Sequence, residues 1–392
     1  MWERELEPSL PPREGPSNPR DRALRITIPL AGFNLSGGVK SLIGVANALA
    51  ARHHIVRFLV PDFAANPPAP LHPGVQVRAL RSGPSWLASS LRKVIYLARL
   101  ATTATAGADV CLANYFTTAY AAWLSRALRG DHARLAYNVR GYEPLSHGLM
   151  ARASLPSRLV RFALAWLSYR LPLAMICTTE WLRDRIGDPN AYVVGHGIDL
   201  RVFRPTSARA RRPYVLVGVI GRHGNVKGYP DFLRAVEWLP PDLPLRIALA
   251  TPDAVALPPS FAVEVSQPTD ELAMAAFYGE CDVFVFPSRA EGFGLPALEA
   301  MARGCAVLTS DCGGVRAFAR PGYNCLMVAP ADPPALAAAI ARLVQDADLR
   351  VRLAAGGVET ARGFGQEAVL DRFCAYLVQL AAGRQTAGSP RR

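Results

Sequence analysis

The chain has 392 residues, of which 51% are hydrophobic and 19% charged, and it carries a formal net charge of +13 at pH 7. This length exceeds what one ordinary hydrophobic core serves, so it predicts two domains of about 150–200 residues each. The positive charge favours an anionic partner, which nucleic acid, a membrane surface or a phosphorylated substrate could each provide. Because genome base composition can also enrich arginine, charge alone does not select a function.

The cysteine and histidine patterns argue against two kinds of site. None of the seven cysteines forms a CxxC pair, and the seven histidines show neither HxxxH nor HExxH spacing. Free, buried thiols in a reducing cytoplasm are therefore predicted, whereas a disulfide framework and a zinc site are not.

The two ends of the chain do not have the composition of a folded segment. Residues 1–22 are rich in Pro, Glu and Arg and lack an apolar core, so a disordered leader is predicted rather than a signal peptide. Residues 383–392 are predicted to be a disordered tail. The longest apolar run, Phe162 to Cys177, is interrupted by Arg170 and Pro172 and is too short to span a bilayer.

In chain order, the first half alternates short apolar runs with helical patterns. The predicted strands are LRITIPL, IVRFLVP, VQVRAL, DVCLAN, RLAYNVR, LAMICTT and YVVGHG. The second half repeats this order with YVLVGVIG, LRIALA, FAVEV, DVFVFPS, AVLTSD and NCLMVA. Strands that alternate with helices build parallel sheets through right-handed crossovers, so two doubly wound, Rossmann-like α/β domains are predicted.

The predicted domains meet near the arginine- and proline-rich segment 199–213. Residues 23–205, together with a C-terminal helix at 367–382, are predicted to form the N-terminal domain. Residues 206–366 are predicted to form the second domain. Because ligands bind outside the carboxyl ends of parallel strands, we expect a site in a cleft across which the two domains face each other.

A glycine loop, GFNLSGGVKS, follows the first strand. It is not a P-loop, because Lys40 stands two places too late for GxxxxGK, and GxGxxG is also absent. Gly37 and Gly38 are instead predicted to open a helix where the backbone can approach a phosphate or sugar. The alternative is a tight turn without a ligand.

Two loops of the second half carry charged residues at predicted strand ends. Arg222 and Lys227 could hold a diphosphate by charge-assisted hydrogen bonds, although exposed charges are common on such loops. Residues 288–304, SRAEGFGLPALEAMARG, place Glu291 after a strand and Glu299 in the next helix. The glycines between them leave N–H groups accessible at a helix N-terminus, which suits an anion. The alternative is an ordinary turn with solvated glutamates.

Taken together, these segments resemble the retaining family 4 glycosyltransferases of the GT-B fold. The family's E-x7-E signature is matched by Glu291 and Glu299, and its N-terminal glycine loop by Gly37 and Gly38. The segment GHGIDLRVFRP is similar to the family's NGVDxxxFxP, with His196 where asparagine is usual. The resemblance extends from about residue 24 to 382. It implies that the N-terminal domain, 23–205, is on the acceptor side and that the C-terminal domain, 206–366, binds the nucleotide sugar.

The resemblance implies a role for each matched residue. Glu299 would bind the donor ribose, and Glu291 would contact the transferred sugar. Arg222 and Lys227 would neutralise the diphosphate leaving group in place of a metal, so no metal or other cofactor is expected. The cradle around the donor would be completed by the glycine loop and by the backbone of Gly292, Phe293, Gly294 and Leu295.

One segment departs from many relatives. They carry His or His-Asp after the strand RLAYNV, where this chain has Arg140-Gly141-Tyr142-Glu143. The Tyr-Glu pair is similar to some members of the family, including rhamnosyltransferase-like ones. Arg140, Tyr142 and Glu143 are therefore candidate catalytic-site contacts to the acceptor or the donor.

The sequence thus predicts a retaining, metal-independent hexosyltransferase that uses a nucleotide-diphosphate sugar. Its acceptor would be a sugar, a lipid-linked molecule or a small molecule, in the synthesis of a cell-surface polysaccharide, a glycolipid or a glycosylated metabolite. The alternatives are a nucleotide-sugar epimerase or sugar phosphorylase on the same fold, and a non-catalytic protein that binds sugar or nucleic acid. The intact charged pairs argue against the non-catalytic protein, so no nucleic-acid partner is predicted.

Residues 151–170, ARASLPSRLVRFALAWLSYR, combine four arginines with aromatic and aliphatic residues. Pro156 and Ser157 favour the start of a helix. This helix is predicted either as a core helix with a basic edge or as an interfacial helix. In the second case the protein would be cytoplasmic and peripheral at the inner face of an anionic membrane.

Overall fold

The computed structural model describes residues 23–33, 37–145, 154–206, 211–224, 226–258 and 260–383. The predicted leader at 1–22 lies outside these residues, and so does the predicted tail apart from Gly383. Within the described residues, strands and helices alternate until three helices close the chain.

The first sheet has seven strands in the order β3-β2-β1-β4-β5-β6-β7. Each strand coincides with one of the runs predicted from the sequence. Central strands such as β4 are apolar along their whole length because both faces are buried, whereas the edge strand β3 is buried only at its two ends. The strands are β1 (Arg25–Pro29), β2 (Ile55–Pro61), β3 (Val75–Leu80), β4 (Val110–Ala113), β5 (Arg134–Val139), β6 (Ala174–Cys177) and β7 (Tyr192–Val193).

Five helices connect these strands, and several have recognisable ends. Helix α3 ends at Gly130, whose φ of 62° is the left-handed conformation that glycine adopts most easily. Helix α5 begins after Thr179, whose hydroxyl accepts a hydrogen bond from the N–H of Leu182. The helices are α1 (Gly37–Ala50), α2 (Ser89–Thr103), α3 (Phe116–Arg129), α4 (Leu155–Ser168) and α5 (Glu180–Ile186).

The second sheet has six parallel strands in the order β10-β9-β8-β11-β12-β13. They are β8 (Val215–Ile220), β9 (Leu245–Ala250), β10 (Val263–Ser266), β11 (Val283–Phe286), β12 (Ala306–Ser310) and β13 (Cys325–Val328). The remaining helices are α6 (Tyr229–Glu237), α7 (Glu271–Glu280), α8 (Leu295–Ala302), α9 (Pro333–Gln345), α10 (Ala347–Arg362) and α11 (Gln366–Ala381).

Alternate residues of β8 pack into two hydrophobic cores, one on each face of the second sheet. Val217 and Val219 pack in one core with Phe232 of α6 and residues of α9. Leu216 packs in the other core with Phe284 and residues of α8. Helices therefore cover both faces, and the predicted fold class of two parallel, doubly wound α/β sheets is confirmed.

The described chain forms two compact units. One contains residues of 1–138, 171–174 and 373–386, and the other contains residues of 139–170 and 175–372. The predicted domain limits, 23–205 with 367–382 and 206–366, stay predictions. All seven cysteines are free and buried. None of the helices in the described ranges is long and apolar enough to cross a lipid bilayer.

A glycine before α6 permits a close contact between two loops. Gly228 has a φ of +70°, and a Cβ at this position would lie 1.8 Å from the carbonyl oxygen of Pro287. Gly322 has a similar φ of +82°, but nothing lies within 4 Å of its Cβ position. Substitution of Gly322 would therefore measure the free-energy cost of the backbone conformation alone. Substitution of Gly228 would measure that cost together with the cost of the clash with Pro287.

We expect Gly322→Ala to lower the free energy of unfolding by about 1–2 kcal/mol, through backbone strain alone. Gly228→Ala should lower it by about 1–3 kcal/mol more, because the loops must also separate. Urea unfolding of both variants measures the difference. Equal losses would show that the contact with Pro287 relaxes without cost.

Candidate functional site

The loops that follow β8 and β11 leave the second sheet at its topological switch point. The two strands are neighbours, but the chain continues from β8 toward β9 and β10 and from β11 toward β12 and β13 on the opposite side. Open α/β sheets bind ligands in the crevice that such a reversal leaves at the carboxyl ends of the strands. The loop after β8 carries Arg222 and Lys227, and the loop after β11 carries Glu291.

Lys227 and Glu291 form an ion pair between these two loops. Lys227 Nζ lies 2.7 Å from Glu291 Oε1, and Ser288 Oγ donates a hydrogen bond of 2.8 Å to the same oxygen. The Glu291 side chain is 15% exposed and that of Lys227 is 48% exposed. An anion can therefore reach the lysine, while the carboxylate is held within the loop.

A second, buried ion pair joins the loop after β11 to the first turn of α6, which follows the loop after β8. Arg289 donates two hydrogen bonds of 2.7 Å to the two carboxylate oxygens of Asp231, a residue that is only 2% exposed. The N–H of Arg289 also donates to the carbonyl of Val226 at 2.8 Å. A bidentate pair restricts both distance and orientation. It thereby fixes the separation between the Lys227 and Glu291 loops.

The turn that begins at Gly292 packs against the segment after β5. A Cβ at Gly292 would lie 1.9 Å from the carbonyl oxygen of Arg140, so only glycine fits there. The hydroxyls of Thr178 and Thr179 both donate to the carbonyl of Gly292 at 3.1 Å. These contacts fix the turn immediately before α8.

Helix α8 begins without a side-chain cap from the described residues. Its N-cap is Gly294, with a φ of +97°, and Pro296 lies in its first turn. Because the first N–H groups of a helix have no partner within the helix, this end provides donors and a positive potential. It is suited to an anionic group such as a phosphate.

Arg140 and His196 form a hydrogen-bonded pair near this turn. Arg140 Nη2 lies 2.9 Å from His196 Nε2. Because a guanidinium only donates, Nε2 is the acceptor in this bond. The other ring nitrogen, Nδ1, lies 3.1 Å from the carbonyl oxygen and 2.9 Å from the backbone nitrogen of Gly197. The imidazole also packs against the ring of Phe293, with a centroid distance of 5.4 Å.

The electrostatics of this pair differ from those of a salt bridge. Burial, and then the charge of Arg140, lower the pKa of His196 to about 3. Burial lowers the pKa of Arg140 to about 10, so the guanidinium remains charged at neutral pH. The pair is therefore a cation with a neutral acceptor.

Glu299 lies one helical turn into α8. Its Oε2 accepts a hydrogen bond of 3.0 Å from the hydroxyl of Tyr278 on α7. Tyr278 is fully buried, and the pKa of its phenol is raised well above the usual value, first by burial and then by Glu299. The phenol therefore stays protonated, and its O–H donates a hydrogen bond to the carboxylate.

Comparison with known families agrees with this geometry. The family model described as glycosyl transferases group 1 matches residues 214–346, which include β8, both loops and α8. These residues form a group 1 glycosyltransferase domain. The family predicted from the sequence is therefore confirmed.

This chain has curated relatives whose names are of the same class. It is 36% identical over 203 residues to a D-inositol 3-phosphate glycosyltransferase of Frankia alni, a match that covers 45% of this chain and 50% of the relative. A protein of the same name from Thermobispora bispora is 28% identical over 349 residues, which are 78% of this chain and 81% of that protein. The chain thus spans half the length of the first relative and about four fifths of the second. Both relatives are named as glycosyltransferases, the class predicted from the sequence.

Solved structures share the fold of this chain. Sucrose-phosphate synthase from Thermosynechococcus elongatus matches with a TM-score of 0.77 and 20% identity, over 92% of this chain and all of that one. The Anabaena protein HepE, solved in complex with UDP and glucose, matches with a TM-score of 0.67 and 16% identity, over 90% and 99% of the two chains. The predicted GT-B fold is confirmed by these matches.

Three further residues of the predicted site are Arg222, Gly37 and Gly38. Arg222 is exposed on the loop after β8, and it forms no ion pair with any residue that the structure describes. Gly37 and Gly38 open α1 in the other compact unit, and nothing lies within 4 Å of a Cβ at Gly37. Their predicted contacts with the donor stay predictions.

Tyr142 and Glu143 belong to an aromatic cluster after β5. The ring of Tyr142 stacks on Tyr169 at 6.1 Å, and the Arg185 guanidinium lies 5.2 Å from the Tyr142 centroid. Glu143 is 6% exposed, and its N–H donates to the hydroxyl of Tyr169. Their predicted contacts with substrate stay predictions.

Four residues that hold the site together were not predicted from the sequence. Ser288 and Arg289 precede Glu291 within the segment already singled out, so their proximity was a signal that could have been used. Asp231 and Tyr278 gave no signal, because their partners are 58 and 21 residues away in the chain. The described residues contain no group of three or more His, Cys, Asp or Glu that could hold a metal ion. Metal independence stays a prediction.

The low pKa of His196 should make the stability of the protein sensitive to acid. Between about pH 6.5 and 3 the unfolded chain binds a proton at His196 that the native protein does not, so the free energy of unfolding falls as the pH falls. His196→Asn removes this contribution. We expect the variant to lose about 1–2 kcal/mol less stability than the parent between pH 7 and pH 5.

Urea unfolding at the two pH values measures this difference. His223→Asn, which changes an exposed histidine of the same unit, is the control and should behave like the parent protein. The same pH dependence in His196→Asn and His223→Asn would contradict the neutral state of His196.

Proposed function

We propose that the protein transfers a sugar from a nucleotide-diphosphate sugar to an acceptor, with retention of configuration and without a metal ion. One observation carries the proposal: Lys227, Glu291 and the N-terminus of α8 all follow β8 and β11 at the switch point of the matched domain. A cation, a carboxylate and uncapped backbone N–H groups suit a diphosphate joined to a polyhydroxyl sugar.

Lys227 and the α8 N-terminus would stabilise the leaving group. A departing nucleotide diphosphate gains negative charge as its bond to the sugar breaks, and fixed cations and helix N-termini lower the energy of that charge. Lys227 would exchange its hydrogen bond to Glu291 for bonds to the diphosphate. Arg222, exposed on the same loop, would add a second cation. Together they would do the work of a metal ion.

Glu291 would bind the transferred sugar rather than attack it. Its Oε1 also accepts a hydrogen bond from Ser288, which would hold the carboxylate within its loop after Lys227 turns to the diphosphate. In the proposed reaction the acceptor oxygen bonds to the anomeric carbon on the face from which the diphosphate leaves. The configuration is retained because the new bond forms on the face that the diphosphate leaves. The acceptor proton passes to the departing phosphate.

Glu299 would bind the ribose of the donor, and the backbone from Gly292 to Leu295 would enclose its phosphates or sugar. Glu299 lies four residues after Leu295 and thus on the same side of α8 as the first turn. The structural match to HepE, which was solved with UDP and glucose, supports UDP-glucose as the first donor to test.

The acceptor is proposed to be anionic. The relatives named for D-inositol 3-phosphate support a phosphorylated polyol, and the net charge of +13 favours an anionic molecule. Arg140 remains charged beside the Gly292 turn and is the candidate contact for the acceptor, with Tyr142 and Glu143 near it in the sequence. A lipid-linked acceptor in glycolipid or polysaccharide synthesis is the second candidate, which the surface of α4 favours.

Transfer should survive chelation of metals and should depend on Lys227. The full chain is incubated with UDP-glucose and other nucleotide sugars, and D-inositol 3-phosphate and a bacterial lipid extract serve as acceptors. We expect a product with the anomeric configuration of the donor, formed equally in excess EDTA. Lys227→Met should lower kcat at least about tenfold.

Lys93→Met is the matched control, because it removes an exposed lysine from α2, and it should leave transfer unchanged. Inversion of configuration, or a complete loss in EDTA that added metal restores, would overturn the proposed chemistry. Conversion of the donor without any acceptor product would favour an epimerase. Phosphate-dependent release of the sugar would favour a phosphorylase.

We further propose that α4 binds the protein to an anionic membrane surface. Only Ala165 and Ser168 of this helix are buried, so it is not the core helix that was one of the two predictions. Six large apolar side chains of α4 are 41–62% exposed, namely those of Leu155, Leu159, Val160, Leu164, Trp166 and Leu167. An exposed apolar face of this size needs a partner.

The charge around α4 supports lipid as that partner. Arg161 is exposed, and so is Arg170, whose guanidinium lies 5.0 Å from the Trp166 centroid, whereas Arg158 is half-buried. Helix α4 itself contains two arginines and no aspartate or glutamate. Apolar side chains flanked by cations bind the interface of membranes that contain anionic lipids.

We expect the protein to float with vesicles that contain phosphatidylglycerol at low salt, and to float less at high salt. Arg161→Glu should reduce the bound fraction about fivefold or more, since each charge adds about 1 kcal/mol of attraction. The double variant Leu159→Ser, Trp166→Ser should not bind the vesicles. Trp238→Ser is the control for the loss of an exposed tryptophan, since Trp238 is 67% exposed and lies outside α4, and it should bind like the parent protein.

Failure of the parent protein to float at low salt would contradict the membrane proposal. A dimer in light scattering that disappears in the Leu159→Ser, Trp166→Ser variant would identify a second copy of the chain as the partner of α4 instead.

A further inference from the structure

Tyr278 is the residue through which the core of the second unit contacts Glu299. Its ring lies in an aromatic cluster, 5.0 Å from Phe284 at an interplanar angle of 89° and 6.3 Å from Phe203. No part of the residue is exposed, and its hydroxyl donates to Glu299 Oε2 at 3.0 Å. The aromatic ring is thus packed in the core, and its hydroxyl contacts the half-buried carboxylate of Glu299.

The backbone of Tyr278 is fixed as firmly as its ring. The Sγ of Cys305, a residue just after α8, donates to the carbonyl of Tyr278 at 3.0 Å. The N–H of Cys281 donates to the same carbonyl at 3.2 Å. Tyr278 is therefore linked to the segments on both sides of α8, and its hydroxyl has little freedom to move away from Glu299.

Rotation of the Glu299 side chain would otherwise be a cost of ligand binding. A glutamate has three rotatable bonds, and burial in a single rotamer removes about 1–2 kcal/mol of conformational entropy. A hydrogen bond from a rigid, buried donor imposes that restriction before the ligand arrives. The remaining hydrogen-bonding capacity of the carboxylate then has a fixed direction.

We propose that Tyr278 is a positioning residue that orients the Glu299 carboxylate for the ribose of the nucleotide donor. This inference rests on the proposed function, because it presupposes that Glu299 binds the donor. It adds a requirement that the family motif does not contain: Glu299 alone is not sufficient, and a phenolic donor on α7 must accompany it.

Tyr278→Phe tests the inference because it removes only the hydroxyl and leaves the aromatic packing in place. The dissociation constant of UDP, or of the nucleotide that the transfer assay selects, is measured by calorimetry. We expect it to rise about tenfold, with KM for the donor rising in parallel and kcat changing little. Melting temperature is recorded for each variant. If Tyr278→Phe is unstable at 25 °C, the affinities are compared at 10 °C in trimethylamine oxide.

Tyr323→Phe is the matched control, since the hydroxyl of Tyr323 also donates to a glutamate, Glu359, on an exposed part of the same unit. It should leave nucleotide affinity unchanged. A double-mutant cycle with Glu299→Ala provides the decisive measurement, because alanine leaves no acceptor for the Tyr278 hydroxyl. If Tyr278 acts through Glu299, the double variant should bind nucleotide no more weakly than Glu299→Ala alone.

The possible results separate this inference from the proposed function. If Glu299→Ala does not weaken nucleotide binding, the role of Glu299 itself is wrong. If Glu299→Ala weakens binding but Tyr278→Phe only lowers the melting temperature, Tyr278 is a core residue and the inference is overturned while the proposed function stands. Additive losses in the double variant would likewise overturn it.

Discussion

The geometry of the candidate site depends on how closely two loops approach at the ends of β8 and β11. Adjacent parallel strands lie about 4.8 Å apart, and their loops separate unless something holds them together. Here the missing Cβ of Gly228 admits the Pro287 carbonyl, and the Asp231–Arg289 pair closes the contact. Only with this spacing can Lys227 reach Glu291 at 2.7 Å.

The same spacing explains why one buried ion pair stands next to an accessible one. Asp231 is almost fully buried, so the loss of Arg289 would leave a buried charge without its main partner, which is strongly unfavourable. That pair can therefore serve as structure but not as a ligand contact. Lys227 is half exposed and can exchange partners at little cost, which is what a residue that binds and releases a diphosphate requires.

The sequence predicted the elements of the fold well because most strands are buried on both faces, which makes these strands apolar runs that need no knowledge of their neighbours. It also predicted Glu291 and Lys227, because both follow strands whose carboxyl ends meet at one edge of the sheet. It could not predict Tyr278 as the donor to Glu299 or His196 as the partner of Arg140, since those contacts depend on packing between distant segments. For α4, the pattern of apolar residues fitted a core helix and a surface helix equally, and only the neighbours of the helix decided between them.

Lys227, which pairs with Glu291, and Arg140, which contacts the Gly292 turn, have different kinds of partner. Lys227 faces a carboxylate, so an incoming diphosphate must compete with Glu291 and, once bound, releases that carboxylate from its ion pair. Arg140 faces a neutral imidazole, which orients the guanidinium but cancels none of its charge. A histidine at this position therefore does what an acidic residue would not do: it fixes the direction of Arg140 and preserves its attraction for an anion. The glutamate–lysine pair provides a contact that changes when the donor binds, and the histidine–arginine pair provides positive charge that is present before and after.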